Sequence, residues 1–343
     1  MNKRPTMTSV AQAAGVSVAT VDRVLNSRLP VKDGTADRVV LAAQKIGYHA
    51  TELMRRRLLE RAPLLTLGFC LQKQDDPFYQ DLAAALREAA EQHAGLRCEA
   101  RVEFMDQLVP RLIAERIHAV GMDVDALAVV ALDHPYVNEA INALRALGKP
   151  VFTLLSDVSS PLRSAYLDID NRKAGRTAAW AIARMAPRAG EVGILIGSQR
   201  YLGQESRESG FRSYFREHAP DFRVLEAHTN LEDQDLSQET VLDLLAAHPQ
   251  MVGLCVAGGG SAGVVRALRE EMPAQGLVVV VNELVPVTRS ALIDGIVDLV
   301  IATPQQRLAQ AAVRAMALSC DEHGSSLAVP EPLSFDLHTA ESV

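Results

Sequence analysis

Two hydrophobic periods divide this chain. In the first fifty residues, apolar positions recur every three or four residues, the spacing of one helix face. "TSVAQAAG" predicts a short helix over residues 8–14 with Val10, Ala11 and Ala14 on one side, closed by Gly15. Ser17 is a suitable N-cap for a second helix from Val18 to Asn26, with Val21, Val24 and Leu25 inward. "NSRLPVKDG" interrupts the pattern, and a third helix over 35–46 buries Val39, Val40, Ala43 and Ile46 before Gly47. Three or four residues around Gly15 join the first two helices, which is the spacing of a helix-turn-helix.

From Leu64 onward the period changes. "LLTLGFCL" reads as a buried strand and "DPFYQDLAAALREAAEQH" as a helix. "DALAVVAL", a helix from Tyr136 to about Leu147, and "KPVFTLL" continue the alternation. "GEVGILIG", "RESGFRSYFREHAP", "MVGLCVAG", "SAGVVRALRE", "GLVVVVNE" and "IVDLVIATPQQRLAQAAVRAM" repeat it. Near-continuous apolar strands, each followed by a helix, predict parallel sheets covered on both faces. The run exceeds one compact sheet and divides near residues 160–175. Two α/β lobes follow, with a cleft outside the carboxyl ends of their strands. The domains are therefore 1–49 (helix-turn-helix headpiece of three helices), 50–63 (hinge or linker) and 64–335 (two-lobed body).

Composition adds two points. Aromatics make up only 4% of the chain, so Val, Leu, Ile and Ala must fill the cores. Residues 1–61 carry eleven Lys and Arg against five acids, a net +6 on a chain of net −7. A basic head on an acidic body suggests a polyanion partner at one end only. Cys70, Cys98, Cys255 and Cys320 are far apart and read as buried thiols. The basic N-terminus has no apolar run behind it, and no window reaches membrane-span length, so a cytoplasmic protein is expected.

If Val21, Val24 and Leu25 face inward, then Ser17, Val18, Ala19, Asp22 and Arg23 flank or face outward. Small residues let the backbone approach a groove, while the helix N-terminus and the Ser17 and Thr20 hydroxyls favour phosphate. Arg23 can reach a guanine edge or a phosphate. Asp22 repels phosphate, unless it accepts from a cytosine amine or holds Arg23 in place.

"VAQAAGVSVATVDRVLN" followed by "VKDGTADRVVLAAQKIGY" resembles the DNA-binding headpiece of the lac-repressor family of bacterial transcription regulators. The resemblance implies Thr6 and Ser17 near phosphates, Val18, Ala19 and Arg23 in the major groove, and Thr20 and Asn26 in backbone contacts. Asp22 stands where the family usually has Ser. Val18 and Ala19 offer only apolar contact to a thymine methyl, so base reading falls mainly on Arg23. Behind the helices, "YHATELMRRRLLERAPLL" corresponds to the family's hinge, which wedges a leucine into the minor groove. Arg57 occupies the usual leucine position, with Leu58 beside it. Arg55, Arg56 and Arg57 suit phosphate or a narrow minor groove.

The body resembles the periplasmic-binding-protein-like effector domain joined to that headpiece, as far as about residue 335. By that resemblance Asp76, Phe78 and Tyr79 line the cleft, the rings stacking on a sugar-like ligand and Asp76 accepting hydroxyl protons. Ser156 and Asp157 stand at its edge, and Asp170 near the ligand or lobe crossover. In "ESRESGF" the position of the family's ligand-binding arginine reads as Glu205, which leaves Gln199, Arg200 and Arg207 to replace it. Asn282 and Glu283 in "VVNEL" and Thr303 in "IATP" complete the set. Such paired polar groups with a ring face suit a sugar or polyol, although a nucleobase or other polar metabolite stays open. "GGGSAG" at 258–263 reads as a turn into a helix, with an anion site as the alternative. The histidines are dispersed and no nucleophile–base pairing is visible, so neither metal, cofactor nor catalysis is expected. The expected protein is a homodimeric regulator, most simply a repressor, with operator DNA and a small polar effector as partners. The alternative is a solute-binding module with a vestigial head. No leucine heptad closes the chain, which argues against a tetramer.

Overall fold

The computed structural model describes residues 4–26, 31, 33–54, 64–93, 96–271, 276–320 and 330–343. Arg55, Arg56, Arg57 and Leu58 of the expected hinge lie outside the described residues. The chain divides into two compact units, Met1–Leu65 with Ala90–Glu99, and Thr66–Ala89 with Ala100–Val343.

The N-terminal unit contains α1 (Met7–Ala14), α2 (Val18–Asn26) and α3 (Asp33–Lys45). Thr6 caps α1 in a reciprocal arrangement with Ser9, satisfying two N–H groups that a helix start otherwise leaves free. Gly15 ends α1 in the left-handed region at φ 63°, a conformation that costs a residue without Cβ little. Ser17 Oγ accepts from Thr20 N at 3.1 Å and so starts α2. Val10, Val21, Val24, Val39 and Ala43 form the core, which also takes in Tyr48 and Met54. Leu25 is half-buried at its margin. Residues 51–54 are helical, and Thr51 Oγ1 donates to Tyr48 O at 2.7 Å.

The body starts with β1 (Leu64–Gln72), α4 (Pro77–Glu91), β2 (Arg97–Met105), α5 (Pro110–Met122), β3 (Ala126–Val129), α6 (Pro135–Ala146), β4 (Val151–Leu154) and β5 (Ala165–Leu167). The first sheet runs β2-β1-β3-β4-β5. The same motif then recurs through α7 (Asn171–Met185), β6 (Glu191–Ile196), α8 (Leu202–His218), β7 (Arg223–Thr229), α9 (Gln234–Ala247), β8 (Gly253–Val256), α10 (Ser261–Glu271), β9 (Val278–Asn282), α11 (Pro286–Ile293), β10 (Leu299–Ala302), α12 (Gln305–Ser319) and β11 (Asp336–His338). The second sheet runs β7-β6-β8-β9-β10-β11. Both orders are of the doubly wound type, whose ligands bind beyond the carboxyl ends of the strands.

The chain changes lobe where the sequence pattern divided. Helix α7 follows β5 of the first lobe, yet Ala174, Ala178 and Ile182 pack with Val192, Phe211 and Val280 of the second. Helix α12 follows β10 of the second lobe and packs back on β3 and β5. A later segment returns, with Leu333 N donating to Asp168 O at 2.8 Å. It then adds β11, which is antiparallel to β10 and departs from the all-parallel expectation. β11 covers the exposed edge of β10, a common way of blunting a sheet edge.

Candidate functional site

Loops beyond the carboxyl ends of both sheets enclose a cavity of about 280 Å³. The first lobe contributes Asp76, Phe78 and Tyr79 after β1, Val130 after β3, and Leu155 and Ser156 after β4. The second contributes Tyr201, Gln204 and Arg207 after β6, Glu232 and Gln234 after β7, Gly258–Ala262 after β8, and Asn282 and Glu283 after β9. Among the described residues, the non-glycine positions with positive φ are Lys73 (42°), Leu155 (60°), Leu231 (49°), Glu232 (54°) and Glu283 (68°). All five lie just beyond a strand end that opens into the cleft. Such backbone conformations cost free energy, and they collect where a loop must hold an exact shape for a ligand.

Arg207 anchors the wall of the second lobe. Its Nε donates to Asn171 Oδ1 at 2.5 Å and its Nη1 to Ala257 O at 2.9 Å. Asn282, with its amide turned to donate to Val256 O, also accepts from Arg207 Nη1 at 3.3 Å. Helices α7 and α8 pack so closely that a Cβ at Gly175 would strike the Arg207 carbonyl, and one at Gly210 the Arg172 carbonyl. Glycine at these two positions sets the depth at which Arg207 enters the cleft.

The charge of this guanidinium acts on two carboxylates, the buried Asp168 and the half-buried Glu283. Glu283 accepts from Thr303 N at 2.9 Å and Thr303 Oγ1 at 2.8 Å. Asp168 Oδ2 accepts from Tyr166 OH at 2.7 Å and from Asn171 Nδ2 at 2.5 Å, while its Oδ1 is buried without a partner. Burial pushes both acids above the ordinary carboxylate range, and the charge of Arg207 opposes that rise. The buried Ser156 Oγ is likewise unpartnered at the cavity wall. An unsatisfied hydroxyl beside a cavity is a ready partner for a polar ligand.

On the other wall, the Phe78 and Tyr79 rings meet edge to face at 5.2 Å. Asp76 Oδ1 accepts from Phe78 N at 2.9 Å, and burial raises its pKa, helped by the nearby Glu232 charge. Glu232 Oε1 accepts from Gln204 Nε2 at 2.7 Å and from Gly259 N at 3.2 Å. The lobes also bond directly across the cleft. Lys73 Nζ donates to Glu232 O at 2.5 Å, and Tyr201 OH to Gln72 Oε1 at 2.6 Å. Arg200 and Asp133 exchange bonds, Asp133 N to Arg200 O at 2.9 Å and Arg200 Nη1 to Asp133 O at 3.2 Å.

The cavity therefore brings together Asp76, Phe78, Tyr79, Ser156, Arg207, Asn282 and Glu283 from the sequence-based set. The remaining six stand elsewhere. Asp157 is held by both arms of Arg163 at 2.5 Å and by Thr153 Oγ1 at 2.8 Å. Asp170 caps α7 through Lys173 N. Gln199 is exposed, and Arg200 bridges the lobes outside the cavity. Glu205 is exposed, because the helical period that turns Arg207 inward turns a residue two positions earlier away. Thr303 is buried behind Glu283 and positions it. Sequence reasoning missed Tyr201, Gln204, Glu232 and Gln234. Their spacing carries no motif, and Gln204 lies on α8, well past the end of β6.

In the N-terminal unit, Ser17, Val18, Ala19 and Arg23 are exposed on α2, whereas Thr20, Asp22 and Asn26 are half-buried. Thr6 is bonded to Ser9 at the start of α1. The exposed set occupies the start and one face of the second helix of the helix-turn-helix, the position from which such units enter a major groove. Among the described residues, no group of His, Cys, Asp or Glu could hold a metal ion, and no helix is long and apolar enough to cross a membrane.

Two doubly wound lobes around a ligand-sized cavity, preceded by a helix-turn-helix, define a binding protein of the two-lobed type fitted with a DNA-binding unit. The chain belongs to the periplasmic binding protein domain family, which it matches over residues 67–322, and residues 6–51 match the bacterial regulatory proteins of the lacI family. The HTH-type transcriptional regulator MalR of Streptomyces coelicolor is 26% identical over 215 residues, 60% of this chain and 57% of that protein, so the match spans less than two thirds of that relative. The ribose operon repressor of Bacillus subtilis is 25% identical over 76% of this chain and 74% of its own. Among solved structures, a solute-binding protein from Agrobacterium vitis bound with α-D-tagatopyranose superposes with a TM-score of 0.72 at 18% identity, over 81% of this chain and 95% of that one. Another, from Bacillus halodurans with bound myo-inositol, gives 0.70 at 16%, over 81% of this chain and 95% of that one. At such identity these two likenesses establish the fold.

Proposed function

We propose that this protein is a sequence-specific DNA-binding transcription regulator, acting as a repressor, whose operator affinity is controlled by a sugar or polyol bound between its two lobes. The observation that carries this reading is the cavity between the lobes, lined by Arg207, Glu283, Asp76, the unpartnered Ser156 and the Phe78–Tyr79 pair, in one chain with a helix-turn-helix that exposes Arg23. Polar groups in number, together with ring faces, suit hydroxyl-rich ligands. The ligands named for the solved relatives, a ketohexose and an inositol, belong to that class. Ser17, Val18, Ala19, Thr20, Asp22, Arg23 and Asn26 form the DNA-facing set, with Thr6 at the phosphates.

The protein works as a cytoplasmic homodimer, because one such headpiece reads too few base pairs for specificity and two read a palindrome. Ligand binding draws the lobes together and shifts the balance between operator-competent and operator-incompetent states. A tenfold change in operator affinity requires a ligand preference between those states of about 1.4 kcal/mol. No catalytic step belongs to this reading. The test is binding of the full-length protein to the DNA upstream of its own gene, with and without candidate sugars. Salt-sensitive, sequence-specific binding that a sugar modulates supports the reading, and its absence overturns it.

A further inference from the structure

The cavity is short of positive charge. Asp76, Glu232 and Glu283 line it, and Arg207 is the basic residue among its lining residues. Arg207 also faces the buried Asp168 behind the wall, so its one charge serves two carboxylates, Asp168 and Glu283. Lys73, outside the lining, directs its ammonium to the backbone carbonyl of Glu232, and its charge partly offsets the rise in the Asp76 pKa. Four carboxylates in and behind the wall are thus met by two cations, and the donors around Asp76 and Glu232 are neutral. Those donors are Phe78 N, Gln204 Nε2 and Gly259 N. In a cleft whose walls are of lower dielectric than water, charge that neutral dipoles hold but do not cancel is felt by a ligand. Burial above all, and then the charges of Glu232, Asp76 and Glu283, raise the pKa of the Tyr79 phenol that also lines the cavity. Among the described residues these carboxylates are not disposed to hold a metal ion. Ser156 Oγ, buried and unpartnered among the lining residues, supplies an independent sign that a polar ligand completes the site.

We propose that the cleft takes a hydroxyl-rich ligand carrying a basic nitrogen, an aminodeoxy sugar or amino-substituted polyol, in preference to its neutral parent and against acidic or phosphorylated sugars. This rests on the reading of the cleft as the effector site. The Gly258–Ser261 loop at the start of α10 would otherwise be the place for an anion, since helix N-termini bind them. Here the protein's own Glu232 carboxylate already accepts from Gly259 N. A phosphate entering that turn meets a carboxylate where it needs free N–H groups. An ammonium instead finds carboxylates of both lobes in the lining, Asp76 of the first and Glu232 of the second.

Calorimetric titration of the full-length protein near neutral pH, with matched pairs, tests this. The pairs are glucose and glucosamine, galactose and galactosamine, and mannose and mannosamine, with glucuronate and glucose 6-phosphate as the anions. We expect at least one amine to bind about tenfold or more tightly than its parent, with no binding of the anions. That ratio should fall toward one in Glu232→Gln and in Asp76→Asn, both checked for an unaltered near-ultraviolet circular dichroism spectrum. A neutral parent that binds as tightly as its amine, or a bound anion, overturns the inference and leaves the effector reading standing. A panel in which no sugar of either kind binds overturns both.

Discussion

Asn26 Nδ2 donates to Asp22 Oδ1 at 2.6 Å, one helical turn apart on α2. The two side chains that flank the exposed Arg23 are thereby tied to each other, and Asp22 has a role other than orienting Arg23. Replacing Asp22 with Ser removes a negative charge beside Arg23 on the proposed DNA-facing side, together with its bond to the Asn26 amide. The expected result is a rise in operator affinity of roughly fivefold, about 1 kcal/mol, with a comparable rise for unrelated DNA. Fluorescence anisotropy against both duplexes at two salt concentrations measures it. Lower affinity for both duplexes would refute this role.

Arg207 holds the cleft wall through Asn171 and Ala257, and its charge acts on the buried Asp168 and the half-buried Glu283. Arg207→Met removes the buried bonds to Asn171 and Ala257 and the charge that favours ionised Asp168 and Glu283, a loss of about 3 kcal/mol where buried polar partners are left unsatisfied. Thermal unfolding should shift down by about 6 to 12 °C, and sugar binding should disappear. Arg207→Lys keeps a charge but cannot reproduce the bonds to Asn171 and Ala257, so it should recover stability more than ligand affinity. A variant that unfolds at the temperature of the parent protein would show that the acids are neutral as folded.

Acidity offers a separate handle on the same acids. Burial raises the pKa of Glu283 above its ordinary 4.5 in the folded protein. The folded state then holds this proton more tightly than the unfolded chain. The contribution of Glu283 to stability is fully present below the unfolded value and is lost as pH rises through the raised one. Glu283→Gln removes the dependence. The stability of the parent protein minus that of the variant should therefore decline as pH rises from the acid side through the raised value. Thermal melts of both proteins across that range give the comparison, and a difference that grows with pH contradicts it.

The architecture could be read from the sequence wherever strands were buried on both faces. β1, β3, β4, β6, β8 and β9 are near-continuous apolar runs, and all were visible. The edge strands β2 and β7 were not, because "RCEARVEFM" and "RVLEAHT" mix charge into half-exposed positions. The second lobe crossing, at α12, was hidden for a different reason. Local strand–helix alternation continues unbroken there, and only packing tells that α12 serves the other sheet. In the cleft, residues adjoining an apolar strand end were found, as with Asn282 and Glu283. Gln204 and Glu232 sit several residues beyond one, and their approach depends on folding rather than spacing. The distinction between Glu205 and Arg207 also needed the phase of α8, which two glycine contacts set.

The contact from Lys73 to the carbonyl of Glu232 spans the lobes, and Lys73, Leu231 and Glu232 all adopt positive φ around it. Three strained residues at one bridge indicate a turn pair shaped by closure, since each such conformation costs of order 1 to 3 kcal/mol unless its surroundings compensate. Lys73 itself lies outside the cavity lining, so its loss should act on closure and not on direct ligand contact. Lys73→Met keeps the aliphatic stem and removes the ammonium. Sugar affinity should fall by about tenfold, mainly through faster dissociation, because the closed lobes lose a bond that holds them. Operator affinity without sugar should be unchanged, while the sugar concentration needed to alter it rises by the same factor. Stopped-flow dissociation and sugar titrations of the operator complex separate these effects. An unchanged dissociation rate would show that the lobes close without this bridge.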